Sequence, residues 1–230
     1  MKKIWLFMLS VLSVLFANAQ GNVAPGFEQT NYPQFSINVA VLGNANRSNA
    51  DIFFDEAERY ERIGDFDGAA AMFNKAAHEY QRGKKFSRYG TALIRLSNAH
   101  LALLNYPEAE KIVLKQVLKN YTKIGSRAGQ MLAYQQLGKI YLAANKLPQS
   151  LWFYTQQGIL AQQLRDNHAY IESVLGIAAV KIRKKDYQLA VKDLNTAELL
   201  SKNANTAQYN QLIKNNRALI AEKHLSTKKG

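Results

Sequence analysis

The sequence predicts an all-α solenoid: four helix-turn-helix repeats followed by a C-terminal capping helix. Three observations carry this. A small residue recurs at Ala69, Ala109, Ser150 and Ala190, at steps of 40, 41 and 40 residues. Four residues after each stands a large apolar side chain (Phe73, Val113, Tyr154, Leu194), and three residues before each stands another (Phe66, Tyr106, Leu147, Tyr187). A polar turn residue precedes each of the latter: Asp65, Asn105, Lys146 and Asp186. A fixed period of this length marks stacked repeats, each burying its apolar face against the next. Proteins of this kind usually present an extended binding surface rather than a catalytic pocket.

Taken in order, residues 1–19 read as an export signal. Lys2 and Lys3 give a positive start, Ile4 to Phe16 an apolar run, and Ala17-Asn18-Ala19 a small-x-small cleavage site. The run is shorter than the ~20 residues a bilayer span needs. The expected mature chain begins at Gln20 and is soluble in the periplasm or secreted, with no membrane span after cleavage. No cysteine occurs anywhere, which excludes lipid attachment at a new N-terminal Cys and leaves helix packing to supply stability. Residues 20–48 read as a linker rich in Gly, Asn, Pro and Gln. Its stretch Phe35 to Leu42 could cover the first repeat or be disordered. Asn46-Arg47-Ser48 matches a glycosylation sequon, a pattern short enough to recur by chance.

The repeats are expected at about 50–83, 90–124, 131–164 and 171–202. In the first, Phe53, Ala57 and Tyr60 recur at helical spacing, Gly64-Asp65 breaks the pattern, and Ala69, Phe73 and Ala76 open a second stripe. Pro107 and Pro148 each fall two residues before their anchor, in the first turn of a second helix, where a missing N–H has no intrahelical partner to lose. The inter-repeat loops are polar: Gln81-Arg82-Gly83-Lys84, Lys123-Ile124-Gly125-Ser126 and Gln163-Leu164-Arg165-Asp166. A helix over 206–224, burying Tyr209, Leu212, Ala218 and Leu219, would cap the open end. Residues 226–230 are expected to fray.

These residues resemble the tetratricopeptide repeat family. Tyr134, Leu137-Gly138 and Tyr141 match its first-helix pattern. Gly64-Asp65-Phe66, Ala69, Phe73 and Ala76 match its turn and second helix, and Asp186-Tyr187, Ala190 and Ala197 repeat them. The resemblance covers residues 50–202 and implies a right-handed superhelix. It also implies that Ala57, Ser97, Gly138 and Ala178 stand where paired helices approach closely. The packing set is then Ala69, Phe73, Ala109, Val113, Gly138, Tyr141, Ser150, Tyr154, Ala190 and Leu194. The family period is 34, so helices here should be longer by about a turn, similar to the 40-residue variety of exported bacterial proteins and sensor regions. His100 and Lys181 replace an expected tyrosine, and Gln116 and Gln157 an expected alanine. A HEAT-like array has a comparable period.

No catalytic constellation, cofactor motif or metal site is legible. His78, His100, His168 and His224 are scattered, without a second ligand at helical spacing. His100, in a core register, reads as a packed and hydrogen-bonded side chain. The expectation is a non-enzyme. By resemblance, the first helices line a groove: Phe54, Glu58 and Arg62; Ile94, Asn98 and Leu101; Gln135, Lys139 and Leu142; Leu175, Ala179 and Arg183. Such a surface suits an extended peptide or a partner's helix, though Ile94, Leu101 and Leu175 would equally serve as packing.

Charge is lopsided. The chain is formally +13; residues 20–79 carry a net −5 and residues 80–230 a net +16. The later repeats therefore suit an acidic partner, or simply present a solvated basic surface. Lys111, Lys115 and Lys119 form an outward stripe. Lys181, Arg183, Lys184 and Lys185 sit where a helix dipole favours cations. Export and the lack of an aromatic-basic stacking platform exclude nucleic acid as the expected partner. The functional expectation is an exported scaffold that binds a protein or peptide. The alternatives are a periplasmic sensor of a small anionic ligand, or an electrostatic binder of anionic envelope polymer or lipid.

Overall fold

The computed structural model describes residues 47–227, with side chains described through Lys223. The expected signal segment, the linker as far as Asn46 and the last three residues lie outside the described residues.

Within residues 47–227 the chain is an all-α solenoid of successive antiparallel hairpins. They are α1 (Asn49–Arg62) with α2 (Phe66–Arg82), α3 (Phe86–Ala102) with α4 (Tyr106–Ile112) and α5 (Leu118–Lys123), α6 (Arg127–Ala143) with α7 (Leu147–Leu164), and α8 (Asn167–Arg183) with α9 (Tyr187–Asn203). Helices α4 and α5 are one rod joined by a π-helical turn, Val113–Val117. Helix α10 (Asn210–Thr227) closes the series and takes in Ser226 and Thr227 of the expected tail. Helices α3, α6 and α8 begin a turn ahead of the expected starts, because the apolar period opens only after a polar first turn. Pro107 and Pro148 stand in the first turns of α4 and α7.

The anchors are equivalent in fact as well as in sequence: Ala69, Ala109, Ser150 and Ala190 are all fully buried. So are Phe73, Val113 and Leu194, with Tyr154 nearly so. Close approach within a hairpin has a visible mark at two positions. The Ser97 hydroxyl donates to the Ala109 carbonyl at 3.1 Å, and the Ser150 hydroxyl to the Gly138 carbonyl at 2.8 Å.

Second-helix tyrosines slot between first helices. A Cβ on Gly90 or Gly129 would stand 2.4 or 2.1 Å from the Tyr121 ring, and one on Gly138 or Gly176 would stand 2.8 or 2.5 Å from the Tyr154 ring. Glycine is thus required for contact here, not for backbone freedom.

All eight interhelical turns are built alike. Each carries one left-handed residue: Gly64, Lys84, Leu104, Gly125, Asn145, Arg165, Lys185 and Asn205. In each, the following N–H donates to the carbonyl five residues back, as Asp65 does to Tyr60 and Asn105 to His100. This is the Schellman closure of a helix C-terminus. Side chains of Asp65, Asn105, Ser126 and Asp166 then cap the next helix by accepting from its third N–H.

The 41-residue step has a structural origin. The residues that close each second helix (Tyr80, Ala161 and Ser201) follow Ala69, Ser150 and Ala190 at one common interval. Tyr121 follows Ala109 at that interval plus one. The surplus residue is taken up in the π turn, where Leu118 N–H donates to Val113 C=O, enclosing one residue more than an α-helical bond.

Helix α10 packs on α8 and α9 as a cap, and of the side expected to be buried Tyr209, Leu212 and Leu219 do pack on the core while Ala218 does not. Tyr209, Ile213 and Ile220 are buried, whereas Leu212 and Leu219 are half-buried and Ala218 is exposed. The helix starts at Asn210 rather than 206, and Ile213 and Ile220 are the deeper members of its buried side.

Candidate partner-binding face

First helices meet first helices: α3 lies against α6, α6 against α8, and α8 against α10, while second helices pack mainly on first ones. The first helices therefore form the inner layer, and their unshared sides make one continuous face across the repeats.

Polar side chains tie this face together from one repeat to the next. Arg95 of α3 reaches back to α1, bonding Glu61 and lying 3.3 Å from Glu58. Its repeat equivalent Gln136 reaches back from α6 to the Ser97 hydroxyl at 3.2 Å. Between α6 and α8, Gln135 Nε2 donates to Glu172 Oε2 at 2.7 Å. At the cap, Gln208 Nε2 lies 3.1 Å and the Tyr209 hydroxyl 3.4 Å from His168 Nδ1.

Electrostatics sharpen around Glu172. Burial raises its pKa above the ordinary carboxylate value, and the Lys139 charge and the Gln135 hydrogen bond only partly oppose this. Burial and the Glu172 charge together push the Tyr209 phenol up. At the other end, burial of Asp51 is outweighed by hydrogen bonds from Ser48 and Tyr80 and by the charges of Arg88 and Lys85. Its pKa is held below the ordinary value, and Asp51 joins α1, α2 and α3 through Tyr80 (2.7 Å) and Arg88.

Of the residues expected in the groove, Glu58, Asn98, Lys139, Leu142 and Ala179 are half-buried, and Arg62 and Arg183 are exposed at helix ends. Phe54 stacks edge-on to Phe73 at 5.2 Å and Ile94 backs onto the core, so both are partly committed to packing. Leu101, Gln135 and Leu175 are buried; the two leucines face the core, and Gln135 contributes through its bond to Glu172. The structure thus brings Gln135 and Lys139 together around a carboxylate that sequence reasoning missed, and likewise missed Arg95, Glu61, His168 and Gln208. The one available signal was Arg95 and Gln136, polar residues recurring at the repeat interval inside apolar helices.

Two replacements are also explained or corrected. Lys181 pairs with Asp193 of α9 at 2.6 Å, which accounts for a cation where a tyrosine was expected. His100 is half-buried, but its Nδ1 has no protein partner, contrary to the expected hydrogen-bonded histidine.

No family model matches the sequence, and no curated protein matches it. Solved structures match the fold. The apo form of RapI superposes with a TM-score of 0.63 at 12% identity, covering 79% of this chain and 72% of that one. BtubC from P. vanneervenii gives 0.60 at 17% identity, covering 70% and 68%. The chain is a helical-repeat protein by fold.

Proposed function

We propose that this chain is an exported, non-enzymatic interaction module of the tetratricopeptide type, binding a peptide or partner protein along its inner face. The observation that carries the reading is the continuity of that face: α3, α6 and α8 abut in turn and Arg95 links α3 back to α1, so that Glu58, Arg95, Asn98, Lys139 and Glu172 stand in series across four hairpins. Such a surface offers an extended chain hydrogen-bonding handles at repeat intervals, with half-buried Leu142 and Ala179 between them. The proposed location is the periplasm or the exterior, with the signal cleaved after Ala19, on the strength of the N-terminal sequence pattern. Among the described residues no helix is long and apolar enough to cross a membrane.

The test uses the chain from Gln20 carrying a photo-crosslinker at Asn98 or Lys139, exposed to native envelope extract. Discrete adducts at these positions are expected, together with at least tenfold weaker capture by an Asn98→Ala/Lys139→Ala variant of unchanged melting. No adduct, together with a thermal shift on adding small anionic ligands, would replace this reading with that of a ligand sensor.

A further inference from the structure

The outer face carries a pattern that the inner groove does not use. Repeat equivalence sets residues of the second helices in rows. Ala71, Lys111, Trp152 and Lys192 each follow their anchor by two residues, and all are exposed. Behind them run His78, Lys119, Ile159 and Leu199, Lys119 being displaced one further by the π turn; these too are exposed. The centre of the face is α7, which has no charged residue along its whole length. It presents Trp152 at 53% and Ile159 at 44% exposure, with Leu199 at 60% on α9, the next second helix. Trp152 is held rather than free: its ring stands edge-on to Phe153 at 4.6 Å and to Tyr134 at 6.4 Å.

Cations flank this apolar centre on both sides, and the neighbouring acids are already engaged. Glu108 binds Lys111, Glu110 binds Tyr141 and Lys146, Asp193 binds Lys181, and Glu198 binds Lys202 and Arg217. Lys115, Lys119 and Lys192 have no acidic partner among the described residues.

We propose that the outer face of α4–α5, α7 and α9 docks on a bilayer rich in anionic phospholipid headgroups. Trp152 and Ile159 enter the interfacial layer, and the lysines on either side meet phosphates. Tryptophan prefers that layer, where an amphipathic ring is half wet. Lysine is depleted from the cores of protein–protein interfaces, whereas a diffuse anionic surface attracts it without fixed carboxylates, by about fivefold in affinity per residue. An outer face seated on lipid leaves the inner face open for a partner.

The chain from Gln20 retains every described residue and has Trp152 as its only tryptophan, since Trp5 is removed. It is mixed with vesicles of equal phosphatidylglycerol and phosphatidylcholine at low salt, and with pure phosphatidylcholine. Expected are cosedimentation with the anionic vesicles alone, a blue shift of Trp152 emission, and its quenching by brominated acyl chains. Lys115→Glu/Lys119→Glu should cut vesicle affinity at least tenfold and Trp152→Ala several-fold, with unchanged circular dichroism. Lys139→Ala, on the inner face, should leave it alone. Absence of cosedimentation overturns the proposal, and so does binding with unshifted Trp152 emission. An equal loss in Lys139→Ala overturns it too, assigning the attraction to net charge.

Discussion

The Tyr121 ring fills a slot walled by Gly90 and Gly129, and the missing Cβ atoms are what let α3 and α6 close around it. Alanine in a helix is ordinarily better than glycine by about 1 kcal/mol, so the sign of a substitution here tests the contact. Gly129→Ala should destabilise by about 1–3 kcal/mol through overpacking, read by chemical denaturation, and Tyr121→Leu in the same chain should recover part of the loss. Glu172 makes a second residue-scale prediction. Its folded pKa is raised, so the folded state holds the proton more tightly than the unfolded one. Stability therefore falls as pH rises from the ordinary carboxylate value through the raised one. Glu172→Gln should remove that fall, leaving melting temperature flatter above about pH 4.5; an unchanged pH profile would show that the carboxylate is not strained by burial. Neither site was legible beforehand. Gly138 was recognised through a family pattern, but Gly129 and Glu172 acquire meaning only from side chains a repeat away.

At the scale of elements, one turn design is used eight times with only two glycines in the left-handed position. A non-glycine residue there bears about 1 kcal/mol of local strain, and Leu104 is also 68% exposed. Leu104→Gly should stabilise by up to about 1 kcal/mol, seen as a raised unfolding midpoint; a lowered midpoint would mean that Leu104 makes packing contacts worth more than its strain. The π turn is a second element-scale feature. If it exists to absorb one surplus residue, deleting Lys115 should convert α4–α5 into an unbroken α-helix with helicity and cooperative melting retained. Deleting Thr155, in the regular helix α7, should rotate Ala161 off the core and abolish cooperative unfolding. The uneven step between anchors was visible in the sequence, but a loop insertion would have produced the same spacing. Only the hydrogen bond from Leu118 to Val113 places the surplus inside a helix.

At the scale of the whole molecule, the core of the described residues runs in successive clusters along the axis, and the last one is completed by Tyr209, just ahead of α10, and by Ile213 and Ile220 of α10. Neighbour-only contacts make stability depend on the ends. Truncation after Asn205 should expose Ala178, Leu194 and Ala197, lower the midpoint and broaden the transition, as followed by circular dichroism; an unaltered transition would show that the cap is dispensable. The sequence by itself determined the class of fold, the number of hairpins and the anchors, because repetition at a fixed interval forces equivalent residues into equivalent burial. It did not determine which polar groups meet across repeats, nor which of the expected groove residues stay accessible. Arg95 with Glu58 and Glu61, Gln135 with Glu172, and the flanking of Trp152 by lysines all join residues on different hairpins. Their meeting depends on the rotation of each helix and the offset between repeats, and packing alone sets those.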